Sequence, residues 1–113
     1  MTTLICTKTW GTCRKAVALL QERNIDFEYR EYKKNPLSED ELREIFRLIR
    51  EPANTLLRKR EKAYKELGLK GDEPDDTLLP LFAEHPALLQ RPIFVHNGSA
   101  VLARPAELLL QLL

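Results

Sequence analysis

TLICTKTWGTCRKAVALLQERNIDFEYREY, residues 3–32, is the stretch whose reading decides the fold. It opens on Thr3 to Thr7, a short apolar and partly β-branched run that ends at small polar residues, as a buried strand does. After Thr9, Trp10 and Gly11 the segment from Cys13 to Arg23 carries Ala16, Val17, Leu19 and Leu20 at helical spacing. Thr12 is its expected N-cap and Asn24 its expected stop. Ile25, Phe27 and Tyr29 then alternate with Asp26, Glu28 and Arg30, the period of a half-buried strand. A crossover of about a dozen residues between two strands favours parallel pairing with a right-handed connection. The stretch therefore reads as a βαβ unit.

Downstream, Ser38 and Glu41 form a capping box ahead of Leu42, Ile45, Phe46 and Ile49, one buried helical stripe. Pro52 ends that helix. Asn54 to Gly68 reads as a short helical region closed by its glycine, and Asp76 to Glu84 as another helix behind Pro74. PIFVH and SAVLA flank Asn97-Gly98, a strong signal for a tight antiparallel hairpin, and Pro105 suits the first turn of a closing helix, AELLLQLL. The order βαβ, helices, ββα predicts an α/β protein with a mixed four-stranded sheet. It is the thioredoxin and glutaredoxin arrangement, with a helical insertion at about 37–86 inside one domain spanning 1–113.

Composition narrows the function. Eighteen Lys and Arg stand against 17 Asp and Glu in 113 residues, so no overall positive field is available to hold nucleic acid, and any anion site must be local. No apolar run approaches the roughly 18 residues of a membrane span, and the start lacks a secretory signal, so a cytoplasmic protein without a membrane partner is expected. Two cysteines are too few for a disulfide scaffold and lack zinc-site spacing. The carboxylates Asp72, Glu73, Asp75 and Asp76 lack the ligand spacing of a calcium loop, and no metal site is expected.

Cys13 is expected in the first turn of the first helix, where unsatisfied N–H groups and the helix dipole lower a thiol's pKa and Arg14 adds positive charge. A partly exposed Cys13 would be a nucleophile. Turned inward it would be a small core residue, and position alone leaves both open. Cys6, within an apolar strand, reads more readily as a core thiol, yet could pair with Cys13 if their Cα atoms come within roughly 7 Å. Arg58, Arg91 and Arg104 stand out by context, because the planar guanidinium fork gives two parallel charge-assisted hydrogen bonds to an oxyanion. Each alone is an ordinary surface charge. His85 and His96 lie far from either thiol in sequence and receive no role.

The blocks GTCRKAVALL, TLLRKREKAYKELGL, HPALLQRPI and AVLARPAELLLQLL resemble, along nearly the whole chain, the glutaredoxin-coupled arsenate reductases and the related Spx-type transcriptional regulators. The resemblance implies an arsenate site of Arg58, Arg91 and Arg104, a cis peptide before Pro92, and a loop shaped by Trp10, Gly11, Thr12 and Arg14. The final Arg-Pro element leans toward the reductase branch. One position departs: the family's nucleophilic cysteine falls on Trp10, and the only cysteine of that loop is Cys13, matching the second cysteine of the regulators' Cys-x-x-Cys. The reading that follows is arsenate reduction to arsenite with Cys13 as nucleophile and Cys6 as its resolving partner. Thioredoxin, or glutathione with glutaredoxin, would be the electron donor, and no cofactor would be bound. The alternatives are an oxyanion-binding protein that has lost turnover, or an Spx-like redox-responsive partner of RNA polymerase that presents Arg43, Arg47 and Arg50.

Overall fold

Strand β1 (Thr2–Cys6) is central because both of its edges are paired: β2 (Glu28–Glu31) lies parallel on one side and β3 (Ile93–His96) antiparallel on the other. β4 (Ser99–Leu102) pairs antiparallel with β3, which completes a mixed sheet of order β2-β1-β3-β4. The computed structural model describes residues 2–7 and 11–113. Helices α1 (Gly11–Glu22), α2 (Glu39–Ile49), α3 (Lys62–Glu66) and α4 (Asp75–Glu84) join short 3-10 segments at Ala53–Leu56, Pro86–Leu88 and Ala106–Leu112. The chain falls into two compact units, one made of Met1–Asn35 with Arg91–Leu113 and the other of Pro36–Gln90.

In the first unit Leu4 and Cys6, two residues apart on one face of β1, pack with Phe94 of β3 and with Cys13, Ala16 and Leu20 of α1. The register sets Leu4 opposite Phe94 on one side and Tyr29 on the other, so these side chains meet on one face of the pleat. Each fully buried leucine or phenylalanine contributes about 1.5–3 kcal/mol, which makes this cluster the main support of the sheet. Helix α1 ends in a Schellman motif: Asn24 sits at φ +56°, Ile25 N donates to Leu20 O at 3.0 Å and Asn24 N to Gln21 O at 3.1 Å. Asn97 (φ +46°) and Gly98 (φ +81°) turn β3 into β4 with both central residues left-handed, as a type I′ hairpin requires.

In the second unit the capping box is formed in full. Glu41 N donates to Ser38 Oγ and Ser38 N to Glu41 Oε1, each at 3.1 Å, and Leu42, Ile45 and Phe46 of α2 are buried. Leu78, Leu79 and Phe82 of α4 are buried as well, and the rings of Phe46 and Phe82 stack with centroids 6.0 Å apart. A single bridge pairs Leu57 with Leu89, flanked by Arg58 N donating to Leu88 O at 2.7 Å and Gln90 N to Leu56 O at 2.8 Å.

Three local expectations are corrected. Thr12 is not the N-cap of α1, because the helix already includes Gly11. Ile25 and Phe27 precede β2 instead of belonging to it, though both still pack against the core. The closing segment is 3-10, with Pro105 extended at its N-cap (ψ 162°) and not in the first helical turn. Three residues per turn brings Ala106, Leu109 and Leu112 into one row, and all three meet the core cluster.

Candidate functional site

The last residue of β1 and the third of α1 are joined: Cys6 and Cys13 form a disulfide with Cα atoms 5.8 Å apart, inside the range that normal geometry allows. Cys6 is 0% and Cys13 1% exposed, and both belong to the apolar cluster of Leu4, Ala16, Leu20 and Phe94. Of the two placements the sequence left open for Cys13, a partly exposed nucleophile or an inward core residue, the structure has the inward one. Cys13 lies three residues before Ala16 and seven before Leu20, on the inward stripe of α1, and that spacing in the sequence already carried the signal.

A cleft of about 320 Å³ beside α1 is lined by Cys13, Arg14, Val17 and Tyr29. Arg14 and Gly11 are exposed and Thr12 half-buried. Trp10, read from the sequence as shaping this loop, lies outside the described residues. Burial and, secondarily, the charge of Glu31 push the Tyr29 phenol above its ordinary pKa, so it stays neutral at physiological pH.

Arg91 and Arg104 share the first unit and each precedes a cis proline, Pro92 and Pro105. Arg91 is 1% exposed and lies over the Tyr32 ring, its guanidinium carbon 5.1 Å from the ring centre. Burial is the largest influence on its pKa, lowering it to about 10. The negative charge of Glu31 opposes the fall and the positive charge of Arg104 adds to it. Two guanidinium groups that feel each other electrostatically, one of them desolvated, make a place where a bound anion relieves repulsion.

Thr7, one residue past β1, was not singled out in the sequence. Its Oγ1 is buried without a hydrogen-bond partner among the described residues, which is rare for a polar atom. Nothing in the sequence distinguishes it from any other threonine at a strand end.

Arg58 belongs to the second unit. Its Nη1 donates to Ala87 O at 3.2 Å and pairs with Glu61 Oε1 at 2.9 Å, with the side chain 20% exposed. The arginines read from the sequence thus divide into Arg91 and Arg104 in one unit and Arg58 in the other. Among the described residues no three His, Cys, Asp or Glu side chains converge to hold a metal, and no helix is long and apolar enough to cross a membrane.

Residues 6–112 match the ArsC family. The chain is 44% identical over 96 residues to an arsenate reductase of Neisseria meningitidis serogroup A, which covers 83% of this chain and 82% of that protein. It is 36% identical over 96 residues to the global transcriptional regulator Spx 1 of Oceanobacillus iheyensis, covering 84% of this chain and 73% of the regulator. Among solved structures, an arsenate reductase from Vibrio cholerae superimposes with a TM-score of 0.92 at 32% identity, covering 99% of this chain and 97% of that one.

Proposed function

The chain belongs to the ArsC family, and we propose that it is a thiol oxidoreductase that reduces arsenate to arsenite, with Cys13 and Cys6 as its redox pair and Arg58, Arg91 and Arg104 as its oxyanion ligands. Two protein thiols and arsenic acid give arsenous acid, water and a disulfide. Cys13 attacks arsenic and water leaves. Cys6 then attacks the Cys13 sulfur, and the As–S electron pair departs with arsenic as arsenite. The Cys6–Cys13 disulfide is in this reading the oxidised end of the cycle, and its formation within one unit with the desolvated Arg91 is the observation that carries it. The positively charged arginines lower the cost of the charge that builds on the arsenic oxygens. Thioredoxin, or glutathione with glutaredoxin, restores the dithiol without a bound cofactor, in the cytoplasm.

A second reading rests on the surroundings of Cys13. A sulfur packed against Leu4, Ala16 and Leu20 is shielded from an approaching oxyanion, which slows attack on arsenate. The disulfide would then report oxidation, in an oxyanion-binding protein without turnover or in a redox-responsive partner of RNA polymerase, a reading that similarity to a global transcriptional regulator supports.

Arsenate-dependent NADPH oxidation, coupled in turn to a thioredoxin and a glutaredoxin system, separates the two. We expect turnover in at least one system and a loss on the order of a thousandfold in Cys13→Ser. Full turnover by that variant removes Cys13 from the mechanism. Phosphate or arsenate binding with no turnover in either system selects the second reading.

A further inference from the structure

Two threonines stand at the ends of the central strand: Thr2 begins β1 and Thr7 follows its last residue. Their hydroxyls are treated differently. Thr2 Oγ1 lies 2.8 Å from His96 Nδ1, in hydrogen-bond contact. Thr7 is 2% exposed, and its Oγ1 is buried with no partner among the described residues. An unpaired buried hydroxyl is unfavourable, whereas an apolar group of the same shape is neutral or stabilising there, so something must hold Thr7 in place. Its neighbour Cys6 is fixed three ways. It is the Cα partner of Glu31, its carbonyl accepts from Tyr32 N at 3.2 Å, and its sulfur is bonded to Cys13 of α1. Thr7 is thus the first residue of the loop that the disulfide closes, and its β-branched side chain has few rotamers with which to turn the hydroxyl elsewhere.

We infer that Thr7 tunes the redox poise of the Cys6–Cys13 pair: its hydroxyl is unsatisfied in the disulfide form and satisfied in the dithiol form, so the residue makes the disulfide easier to reduce. When the bond opens, the chain between the two cysteines loses one of its ties, and the hydroxyl can turn to water or to a carbonyl. An unfavourable burial present on one side of an exchange equilibrium moves that equilibrium to the other side. With glutathione as the probe, two glutathione thiols and the protein disulfide give glutathione disulfide and two cysteine thiols, two electrons and two protons passing to Cys6 and Cys13. Thr7 acts through Cys6 and is a positioning residue. The inference rests on the redox pair of the proposed function, not on arsenate as its oxidant.

The test equilibrates the full chain with glutathione and glutathione disulfide at a series of ratios and reads the dithiol fraction by alkylation and mass spectrometry. Thr7→Val keeps the shape of the side chain and removes the hydroxyl. It is expected to move the equilibrium about tenfold toward the disulfide, a potential about 30 mV more negative for a two-electron couple. Thr7→Ser, which keeps the hydroxyl, should stay with the unaltered protein. Thermal unfolding with and without reductant gives an independent reading: Thr7→Val should raise the midpoint of the disulfide form and not that of the dithiol form. A purely structural role moves both midpoints together and leaves the potential where it was, which overturns the inference. A shift toward the dithiol overturns it too, as does Thr7→Ser behaving like Thr7→Val. Should Thr7→Val not fold, Thr7→Ala must move the equilibrium in the same direction, and no movement there overturns the inference equally. A shifted potential without arsenate turnover by the unaltered protein would sink the arsenate reading alone. Turnover with an unshifted potential would sink this one alone.

Discussion

Arg91-Pro92 and Arg104-Pro105 are the same dipeptide with the same cis bond, yet one guanidinium is buried and the other is exposed. The difference comes from the strands they adjoin. Arg91 precedes β3, which is paired on both edges, and its side chain is covered by Tyr32. Arg104 follows β4, paired on one edge only. A short motif thus fixes which group is present, and the place of its strand in the sheet fixes how strongly that group acts. A desolvated cation attracts an anion in a medium of low dielectric, while an exposed one is screened by water and salt.

If that contrast governs anion binding, the largest effect is expected from Arg91→Ala. Loss of a buried charged donor costs about 1.5–3 kcal/mol, so arsenate or phosphate affinity measured by calorimetry should fall roughly ten- to a hundredfold. Arg104→Ala should cost only a few-fold, and equal losses in the two variants would break the contrast. The next effect is one of pH. Arg91 binds an anion only while protonated, so affinity should be full below about pH 10 and fall as pH rises through that value, and Arg91→Ala should lose this dependence. Removing the aromatic face by Tyr32→Leu is the smallest change. It takes away a cation–π contact of about 0.5–2 kcal/mol, seen as a lower midpoint in thermal unfolding. Arg104→Ala should leave that midpoint nearly unmoved.

The sequence made the sheet legible because its signals are local. Alternation in β2, the capping box at Ser38 and the Asn97-Gly98 turn each depend on residues close together in the chain, and each formed as read apart from the late start of β2. The 3-10 form of Ala106–Leu112 was not legible, because AELLLQL suits a period of three or of 3.6 and contact with the core decides between them. At the site, the cis bond before Pro92 follows the family resemblance. The burial of Arg91 does not, since it depends on Tyr32 and on strands far apart in sequence. For Cys13 the helix end where it sits and the stripe it shares with Ala16 and Leu20 leave exposed and inward placements both open. Two signals on one residue pointed opposite ways, and the apolar stripe prevailed. Thr7 could not be found from sequence at all.

The hairpin tip at Asn97 and Gly98 is exposed and lies at the opposite end of β3 from Pro92, roughly 17 Å away along the extended chain. That length makes the tip a natural handle. A fluorophore or surface tether placed there would ride on the same rigid strand that begins at Arg91 while staying clear of anything bound beside it.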